Sequence, residues 1–123
     1  MTDTELNNVL DELMKLELFF HHPTTGTTRR DLEALTDDTF WEVGASGRKY
    51  DRDVVLRVLE ERTQQPPGEI WDTQDPACRH LGGDHFLVTY TLFQGKRETL
   101  RVSLWRRTGS TWKVVYHQGT VVE

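Results

Sequence analysis

The sequence predicts an α+β protein in which helices come first and a meander of antiparallel strands follows. In the first half of the chain, apolar residues recur at the three- and four-residue spacing of amphipathic helices. From Glu69 onwards, apolar and polar side chains alternate as they do along a strand, and glycine-containing turns separate the alternating segments. We therefore expect a sheet packed against a layer of helices.

The first helix is predicted over residues 3–20. Thr2 and Glu5 match the capping-box pattern at its start, and Pro23 ends it because proline lacks an amide donor and disfavours helical geometry in the residue before it. One face of this helix should be buried. The apolar positions on that face are Leu6, Val9, Leu10, Leu13, Leu16, Leu18 and Phe20.

Two further helices and a strand pair complete the first half. A short helix covers residues 31–35, and strands at 39–44 and 48–50 flank a glycine-containing turn. A third helix follows, capped at its start by Asp51 or Asp53. We expect residues 64–68, which include two prolines and a glycine, to end it.

Five alternating segments make up the rest of the chain. They cover residues 70–72, 77–81, 86–93, 99–105 and 111–120. Short polar turns join the last of them, so we expect these strands to pair in antiparallel fashion.

Composition indicates one soluble domain over residues 1–123, long enough to bury a core without disulfides. The net charge of −5 gives no general attraction for phosphate, so we expect no nucleic-acid partner. No apolar run approaches the roughly 18 residues of a membrane span, and residues 1–5 lack the features of a secretory signal. We expect no membrane partner and a cytoplasmic location.

Cys78, the only cysteine, can form neither an internal disulfide nor a thiolate metal cluster.

Three phrases in this sequence resemble the signature segments of bacterial DUF4440 proteins. They are residues 42–52, 101–105 and 112–120, and the similarity extends from about Leu16 to Thr120. DUF4440 and SnoaL-like proteins belong to the nuclear transport factor 2-like (NTF2-like) superfamily, which also holds ketosteroid isomerase. The resemblance implies a cone-shaped fold, in which a curved antiparallel sheet wraps around about three helices and leaves a pocket between them.

The resemblance also implies a homodimer formed through the sheet. An excess of aromatic side chains on the strands agrees with this, since one small core does not obviously bury them all. These residues are Trp71, Trp105, Trp112 and Tyr116.

The resemblance leaves the reaction open, because superfamily members isomerise, dehydrate, cyclise, hydrolyse or only bind. Ketosteroid isomerase uses a tyrosine from its first helix, and the first helix predicted here contains none. Residues 51–53 spell the Asp-Arg-Asp set of limonene-epoxide hydrolase. Side chains so close together at a helix start diverge, so we interpret this triplet as a helix cap.

Strand alternation places Arg101, Ser103 and Trp105 on one face of their strand. We interpret this face as a pocket wall, in which Arg101 recognises an anion or pairs with Glu42, Ser103 orients a ligand and Trp105 stacks on it. The alternatives are an exposed sheet face or a buried structural pair of Arg101 and Glu42.

Glu42, Arg101 and His117 form the candidate catalytic set. His117 could act as a general acid or base because histidine exchanges protons near neutral pH, and apolar neighbours could raise the pKa of Glu42. The structural alternatives are a hydrogen bond from His117 to a neighbouring strand, and a salt bridge from Glu42 to an arginine. Tyr50 and Tyr90 are candidate donors to a ligand.

Alternation along the last strand should give its two faces different roles. We expect the face of His117 to line the pocket together with Arg101 and Glu42. On that face we place Lys113, Val115 and His117, and on the other Trp112, Val114, Tyr116 and Gln118.

The sequence predicts neither a metal site nor a cofactor. His80 and His85 flank a turn that contains Asp84, but no further ligand set accompanies them. Three functions therefore stay open. One is a pocket for an unknown small molecule, with or without proton-transfer chemistry of the isomerase, dehydratase, cyclase or hydrolase kind. The second is a non-catalytic binding or homodimerisation module with a structural polar network. The third is an interaction domain that regulates another protein, which predicts an exposed apolar patch beyond the dimer surface.

Overall fold

Three helices and six strands make up residues 1–65 and 71–123, the part of the chain that the computed structural model describes. The helices are α1 (Asp3–His21), α2 (Arg29–Leu35) and α3 (Arg52–Arg62). The strands are β1 (Thr36–Val43), β2 (Lys49–Asp51), β3 (Trp71–Gly82), β4 (His85–Gln94), β5 (Arg97–Thr108) and β6 (Thr111–Val121). The predicted α+β order is confirmed.

Side-chain caps fix where the helices begin. The hydroxyl of Thr2 accepts a hydrogen bond from the amide of Glu5 at 3.1 Å and so starts α1. Asp51 caps α3 by accepting from the amide of Val54 at 2.9 Å. Asp53 instead lies 2.6 Å from Arg29 in an ion pair, so the triplet at residues 51–53 is a helix start, as predicted.

The end of α3 lies directly before the predicted stop at residues 64–68. The helix stops at Arg62 with Thr63 as its cap residue. Residues 66–68 of that predicted stop lie outside the described residues.

The six strands form one sheet in the order β2-β1-β6-β5-β4-β3. All neighbouring strands are antiparallel except β1 and β6, which run parallel. Apolar side chains from the three helices and from the sheet share one buried cluster. Its members include Leu13, Leu32, Leu56, Val88, Leu92, Trp105 and Val114. The helices therefore cover one face of the sheet, which we call the inner face.

The two segments predicted at residues 70–72 and 77–81 belong to a single strand, β3, of which Ile70 lies outside the described residues. The pairing with β4 shifts between Gln74 and Ala77. Asp75 has a φ of 53° at this point, a left-handed conformation that interrupts regular strand geometry. The irregularity explains why the sequence pattern reads as two strands.

The predicted faces of β6 are partly wrong. Leu104 pairs with Tyr116 and Trp105 pairs with Val114, so Val115 is an extra residue opposite β5. A bulge of this kind shifts the alternation by one residue. As a result Trp112 and Val114 are buried in the core, and Val114 lines the same cavity as His117. The grouping of His117 with Lys113 and Val115 does not hold.

Two of the four aromatic side chains that suggested a homodimer are buried within one chain, and the other two, Trp71 and Tyr116, are partly exposed. Trp105 and Trp112 are 0% and 5% exposed, so one chain buries both of them. Trp41, which the argument did not include, is 43% exposed and packs against Tyr116 with ring centroids 4.6 Å apart. Among the described residues, no helix is both long enough and apolar enough to cross a membrane.

Candidate ligand-binding site

A cavity of about 410 Å³ lies between the helices and the inner face of the sheet. This volume is within the range of sites that bind small molecules. Its apolar lining is provided by Phe20, Phe40, Val54, Val55, Val58, Leu59, Trp71 and Val114. Its polar lining is provided by Glu17, His21, Glu42, Tyr50, Arg62, Gln94, Arg97, Arg101 and His117.

The sheet register brings the three predicted catalytic residues to this cavity. Glu42 of β1 is directly opposite His117 of β6, and Arg101 of β5 is opposite Gly119 of β6. Glu42, Arg101 and His117 all line the cavity, and so does Tyr50. The sequence therefore predicted correctly that these side chains meet on one face.

The other predicted ligand-binding residues lie beside the cavity without lining it. Tyr90, Ser103 and Trp105 are buried in the layer between α1 and the sheet. Each of them hydrogen-bonds to Glu17, a residue of α1 that the sequence analysis did not identify. They are connected to the cavity by hydrogen bonds to Glu17, which lines it.

Glu17 is a buried carboxylate, 3% exposed, that accepts three hydrogen bonds. The hydroxyls of Tyr90 and Ser103 donate to its Oε1 at 2.8 Å and 2.7 Å, and Trp105 Nε1 donates to its Oε2 at 2.9 Å. Burial raises the pKa of Glu17, while these three donors and the charge of Arg101 oppose the rise. The indole nitrogen can only donate, so Oε2 accepts from Trp105, and the Glu17 carboxylate has acceptor sites for all three partners.

His117 is tied to this carboxylate through Ser103. Its Nδ1 lies 2.6 Å from Ser103 Oγ and 3.7 Å from Glu17 Oε1, while its Nε2 lies 3.4 Å from Arg101 Nη1. Burial, together with the charge of Arg101, lowers the pKa of His117 to about 3. The imidazole is therefore neutral near pH 7 and could accept a proton only with an additional stabilising charge.

A second histidine joins the same group from the end of α1. His21 Nε2 lies 2.6 Å from the hydroxyl of Tyr90, and the rings of His21 and His117 are 5.6 Å apart in an edge-to-face arrangement. Burial is the main cause that holds the pKa of His21 well below its usual range, and electrostatic repulsion from His117 is the second cause. Burial beside Glu17 also raises the pKa of Tyr90, which stays a phenol.

Arg101 lies flat against the backbone of β6. A Cβ atom added to Gly119 would come within 2.6 Å of Arg101 Nη1, so glycine leaves the space that the guanidinium occupies. Arg101 Nε donates to Thr99 Oγ1 at 2.9 Å. Burial lowers the pKa of Arg101, but a guanidinium remains charged in proteins. This position beside the cavity is compatible with the predicted role of Arg101 in recognising an anion.

Two further arginines, Arg62 and Arg97, line the cavity and were not predicted. Arg62 Nη1 donates to the backbone oxygen of His21 at 3.3 Å. Within the described residues, no carboxylate comes within 4.0 Å of a guanidinium nitrogen of Arg62, Arg97 or Arg101. Three cations thus face one cavity without an ionic partner there.

Glu42 is half-buried and forms no salt bridge to Arg101 or Arg48 in the part of the chain that the structure describes. Burial raises its pKa, although the charges of Arg101 and Arg62 act against the rise. The structural pair of Arg101 and Glu42, considered as an alternative, is therefore not formed. Gln94, on the same cavity, has a buried Oε1 with no hydrogen-bond partner among the described residues.

Glu17 has a sequence signal that the prediction overlooked. It follows Val9 and Leu13 at four-residue spacing, so it continues the buried stripe of α1, whereas Leu18, assigned to that stripe, is 44% exposed. A carboxylate on the apolar stripe of a helix requires buried donors, which are available on β4 and β5. Arg62 and Arg97 carry no comparable signal in a chain with 15 lysines and arginines.

The turn histidines do not form a metal site. His80 Nε2 lies 2.8 Å from the backbone oxygen of Gly83, and its ring stacks on Phe86. Within residues 1–65 and 71–123, no three or more His, Cys, Asp or Glu side chains lie close enough together to hold a metal ion. Cys78 is half-buried, and burial raises the pKa of its thiol.

Solved structures share this arrangement of helices and sheet. An NTF2-like protein from Cytophaga hutchinsonii has 14% identity and a TM-score of 0.71, over 99% of this chain and 100% of that one. An NTF-2 like protein of unknown function from Silicibacter pomeroyi has 17% identity and a TM-score of 0.66, over 99% and 100%. An NTF2-like protein of unknown function in nutrient uptake from Rhodospirillum rubrum has 23% identity and a TM-score of 0.62, over 77% and 85%.

No family profile and no curated protein matches the sequence. The structural similarities nevertheless extend over most of the chain, and they show that it has the NTF2-like fold that the three sequence phrases implied. Similarity at these identities establishes the fold and leaves the activity to be argued from the site.

Proposed function

We propose that this protein binds a small organic anion with an apolar body in the cavity between its helices and sheet. The observation that carries the proposal is the set of three arginines, Arg62, Arg97 and Arg101, that line the cavity with no carboxylate of the described residues within 4.0 Å. Arg62 and Arg101 are partly buried, whereas Arg97 is exposed. Glu17 and Glu42 line the same cavity without pairing with these arginines, so an anion bound beside Arg62 and Arg101 would offset the cost of their burial.

The charge of the whole chain makes this concentration of cations specific to the cavity. The protein carries a net charge of −5, so its surface does not attract anions in general. Guanidinium groups bind carboxylates through paired hydrogen bonds, which favours a carboxylic acid. The apolar lining, which includes Phe20, Phe40 and Trp71, fits an aromatic or aliphatic body attached to that acid.

Calorimetric titration with 3-phenylpropanoate and with the uncharged 3-phenylpropan-1-ol tests the proposal. We expect the acid to bind and the alcohol to bind at least ten-fold more weakly. The variant Arg101→Met should weaken binding of the acid by ten-fold or more, because it removes a charge-assisted hydrogen bond worth about 1.5–3 kcal/mol. Arg30→Met, at an exposed position of α2 outside the cavity, is the matched control. Equal binding of acid and alcohol would refute the proposal.

A proton-transfer enzyme of the isomerase, dehydratase, cyclase or hydrolase kind is the second candidate. It is favoured by His117 Nε2, which lies 3.4 Å from Arg101 on the cavity wall, with Glu42 on the neighbouring strand. His117 would remove a proton and Arg101 would stabilise the resulting oxyanion. Deuterium exchange at C3 of 3-phenylpyruvate, followed by NMR in D2O, should accelerate with the protein and not with His117→Asn. The absence of any acceleration would count against catalysis on 2-oxo acids.

Membership of the DUF4440/SnoaL-like group is supported by residues 42–52, 101–105 and 112–120.

A homodimer is supported by exposed apolar side chains on the outer face of the sheet, the face turned away from the helices. Two of them, Trp41 and Leu100, are 43% and 53% exposed. Light scattering should give twice the chain mass for the wild type and a lower mass for Trp41→Glu. A monomer at high concentration would remove the homodimer from consideration.

A further inference from the structure

The three side chains that contact the Glu17 carboxylate all act as hydrogen-bond donors to it. Tyr90, Ser103 and Trp105 each have a single polar side-chain hydrogen, and all three donate it to the Glu17 carboxylate. The hydroxyl oxygen of Ser103 consequently has only lone pairs left for its second neighbour. That neighbour is His117 Nδ1 at 2.6 Å, and Arg101 Nη1, which can only donate, lies 3.4 Å from His117 Nε2, so both contacts place the hydrogen of the neutral ring on Nδ1.

A neutral imidazole has one N–H, so His117 Nε2 is an acceptor with a single lone pair. Burial and the charge of Arg101 lower the pKa of His117 and keep the ring neutral. In the described residues the hydrogen-bond neighbour of this nitrogen is Arg101 Nη1, at the long distance of 3.4 Å. The cavity wall therefore presents an acceptor and a cation side by side.

We propose that the ligand is a 2-hydroxy acid with an apolar tail, in which the carboxylate binds Arg101 and the hydroxyl donates to His117 Nε2 in place of the long contact from Arg101 Nη1. This proposal rests on the anion-binding function proposed above and names its substrate class. Arg101 Nη1 and His117 Nε2 are 3.4 Å apart, and a carboxylate and a hydroxyl on adjacent carbon atoms can meet both of them. A 2-amino acid would also offer a donor, but Arg62, Arg97 and Arg101 disfavour an ammonium group at this position.

Calorimetry with 3-phenyllactate, 3-phenylpropanoate and phenylalanine tests this. We expect phenyllactate to bind about ten-fold more tightly than phenylpropanoate, the effect of one well-formed hydrogen bond, and phenylalanine to bind more weakly than both. The variant His117→Asn keeps a donor towards Ser103 but places no acceptor at the Nε2 position, so it should lose the preference for the hydroxyl. His117→Gln reaches further and should restore part of it.

The outcomes separate the two proposals. Equal binding of phenyllactate and phenylpropanoate to the wild type would overturn the 2-hydroxy acid while leaving the anion site in place. Failure to bind either acid would overturn both. Should the histidine variants fail to fold, as judged by circular dichroism, nitrogen-15 NMR of the wild type decides instead. A hydrogen on His117 Nε2 at pH 7 would overturn the inference, and a hydrogen on Nδ1 supports it.

Discussion

Ser103 and His117 lie directly opposite each other on β5 and β6, and 2.6 Å separates Ser103 Oγ from His117 Nδ1. This contact links the buried carboxylate of Glu17 to the cavity. Ser103 donates to Glu17 and accepts from His117, so one hydroxyl transmits the orientation of the carboxylate to the ring that faces the ligand. Ser103 is in this sense a positioning residue for His117.

Opposite tautomers are expected for the two buried histidines. His117 should carry its hydrogen on Nδ1, because Ser103 can only accept there, and His21 should carry its hydrogen on Nε2, because Tyr90 donates to Glu17 and accepts from His21. Nitrogen-15 NMR of the wild type at pH 7 measures both. In Ser103→Ala the Nε2–H form of His117 should increase while His21 keeps its tautomer.

The matched control for Ser103→Ala is Ser110→Ala, at an exposed turn position, which should leave both ring spectra unchanged. Two histidines with the same tautomer in the wild type would contradict the hydrogen-bond directions on which this prediction depends.

Removal of the Glu17 carboxylate should destabilise the fold strongly. In Glu17→Ala the hydroxyls of Tyr90 and Ser103 and the indole of Trp105 lose their shared acceptor, and unsatisfied buried donors cost about 1–3 kcal/mol each. Relaxation and water entry make the total smaller than the sum, so we expect a loss of roughly 3 kcal/mol in the free energy of unfolding. Urea denaturation measures it.

Glu17→Gln should cost less than Glu17→Ala, because the amide keeps one acceptor, although its NH₂ group cannot accept from a donor. Glu12→Gln, at an exposed position of the same helix, is the control and should change stability by no more than about 0.5 kcal/mol. A loss below about 1 kcal/mol in Glu17→Ala would mean that the buried carboxylate contributes little to stability.

The fold was predictable from sequence because its signals are local. Each signal depends on a few neighbouring residues, as in the glycine turns, the helix cap at Asp51 and the alternation along the strands. The three sequence phrases agreed with the resulting order of helices and strands. Alternation separated the two faces of each strand but did not indicate which face of β6 lines the cavity, so the inner-face position of His117 with Arg101 and Glu42 was an interpretation. The bulge at Val115 was not predictable in this way, because it is a property of the pairing between β5 and β6.

The site was only half predictable for a related reason. A buried Glu17 is stabilised by donors on β4 and β5 that are 73 to 88 residues away in the chain, so its environment exists only after the sheet forms. Arg62 and Arg97 reach the cavity from the end of α3 and the start of β5, where charged residues are ordinarily solvated. Residue type and periodicity cannot distinguish an arginine that lines a cavity from one that is solvated.

Stability should fall as the solution is acidified below the ordinary histidine pKa of 6.5. The folded protein holds the pKa of His117 at about 3, so below pH 6.5 the unfolded chain binds a proton that the folded chain excludes. The free energy of unfolding then decreases by up to about 1.4 kcal/mol per pH unit from this residue until pH 3. His21, whose pKa is also lowered, contributes with the same sign.

The raised pKa of Glu17 acts in the opposite direction above its ordinary value of 4.5, because there the folded state binds the extra proton. A comparison of wild type with His117→Asn isolates the histidine contribution. Urea titrations between pH 7 and pH 4 should give a shallower slope for this variant, whereas His85→Asn, at an exposed position, should keep the wild-type slope. Parallel slopes for all three proteins would show that His117 titrates normally in the fold.

The position of Arg101 depends on the absence of a side chain at residue 119. In Gly119→Ala the new Cβ would lie 2.6 Å from Arg101 Nη1 and 2.7 Å from Cζ, so the guanidinium must move away from β6. An arginine side chain is flexible enough to move at small cost, so stability should change by less than about 1 kcal/mol. Binding of 3-phenylpropanoate should weaken about five-fold or more, because its cation is displaced.

Thr120→Ala, at the exposed neighbouring position, serves as the control and should bind 3-phenylpropanoate as the wild type does. The double variant Gly119→Ala with Arg101→Met distinguishes displacement of Arg101 from a general disturbance of β6. If Gly119→Ala acts through Arg101, it should cause no further loss of binding once Arg101 is replaced. Additive losses would show instead that the methyl group disturbs the cavity by another route.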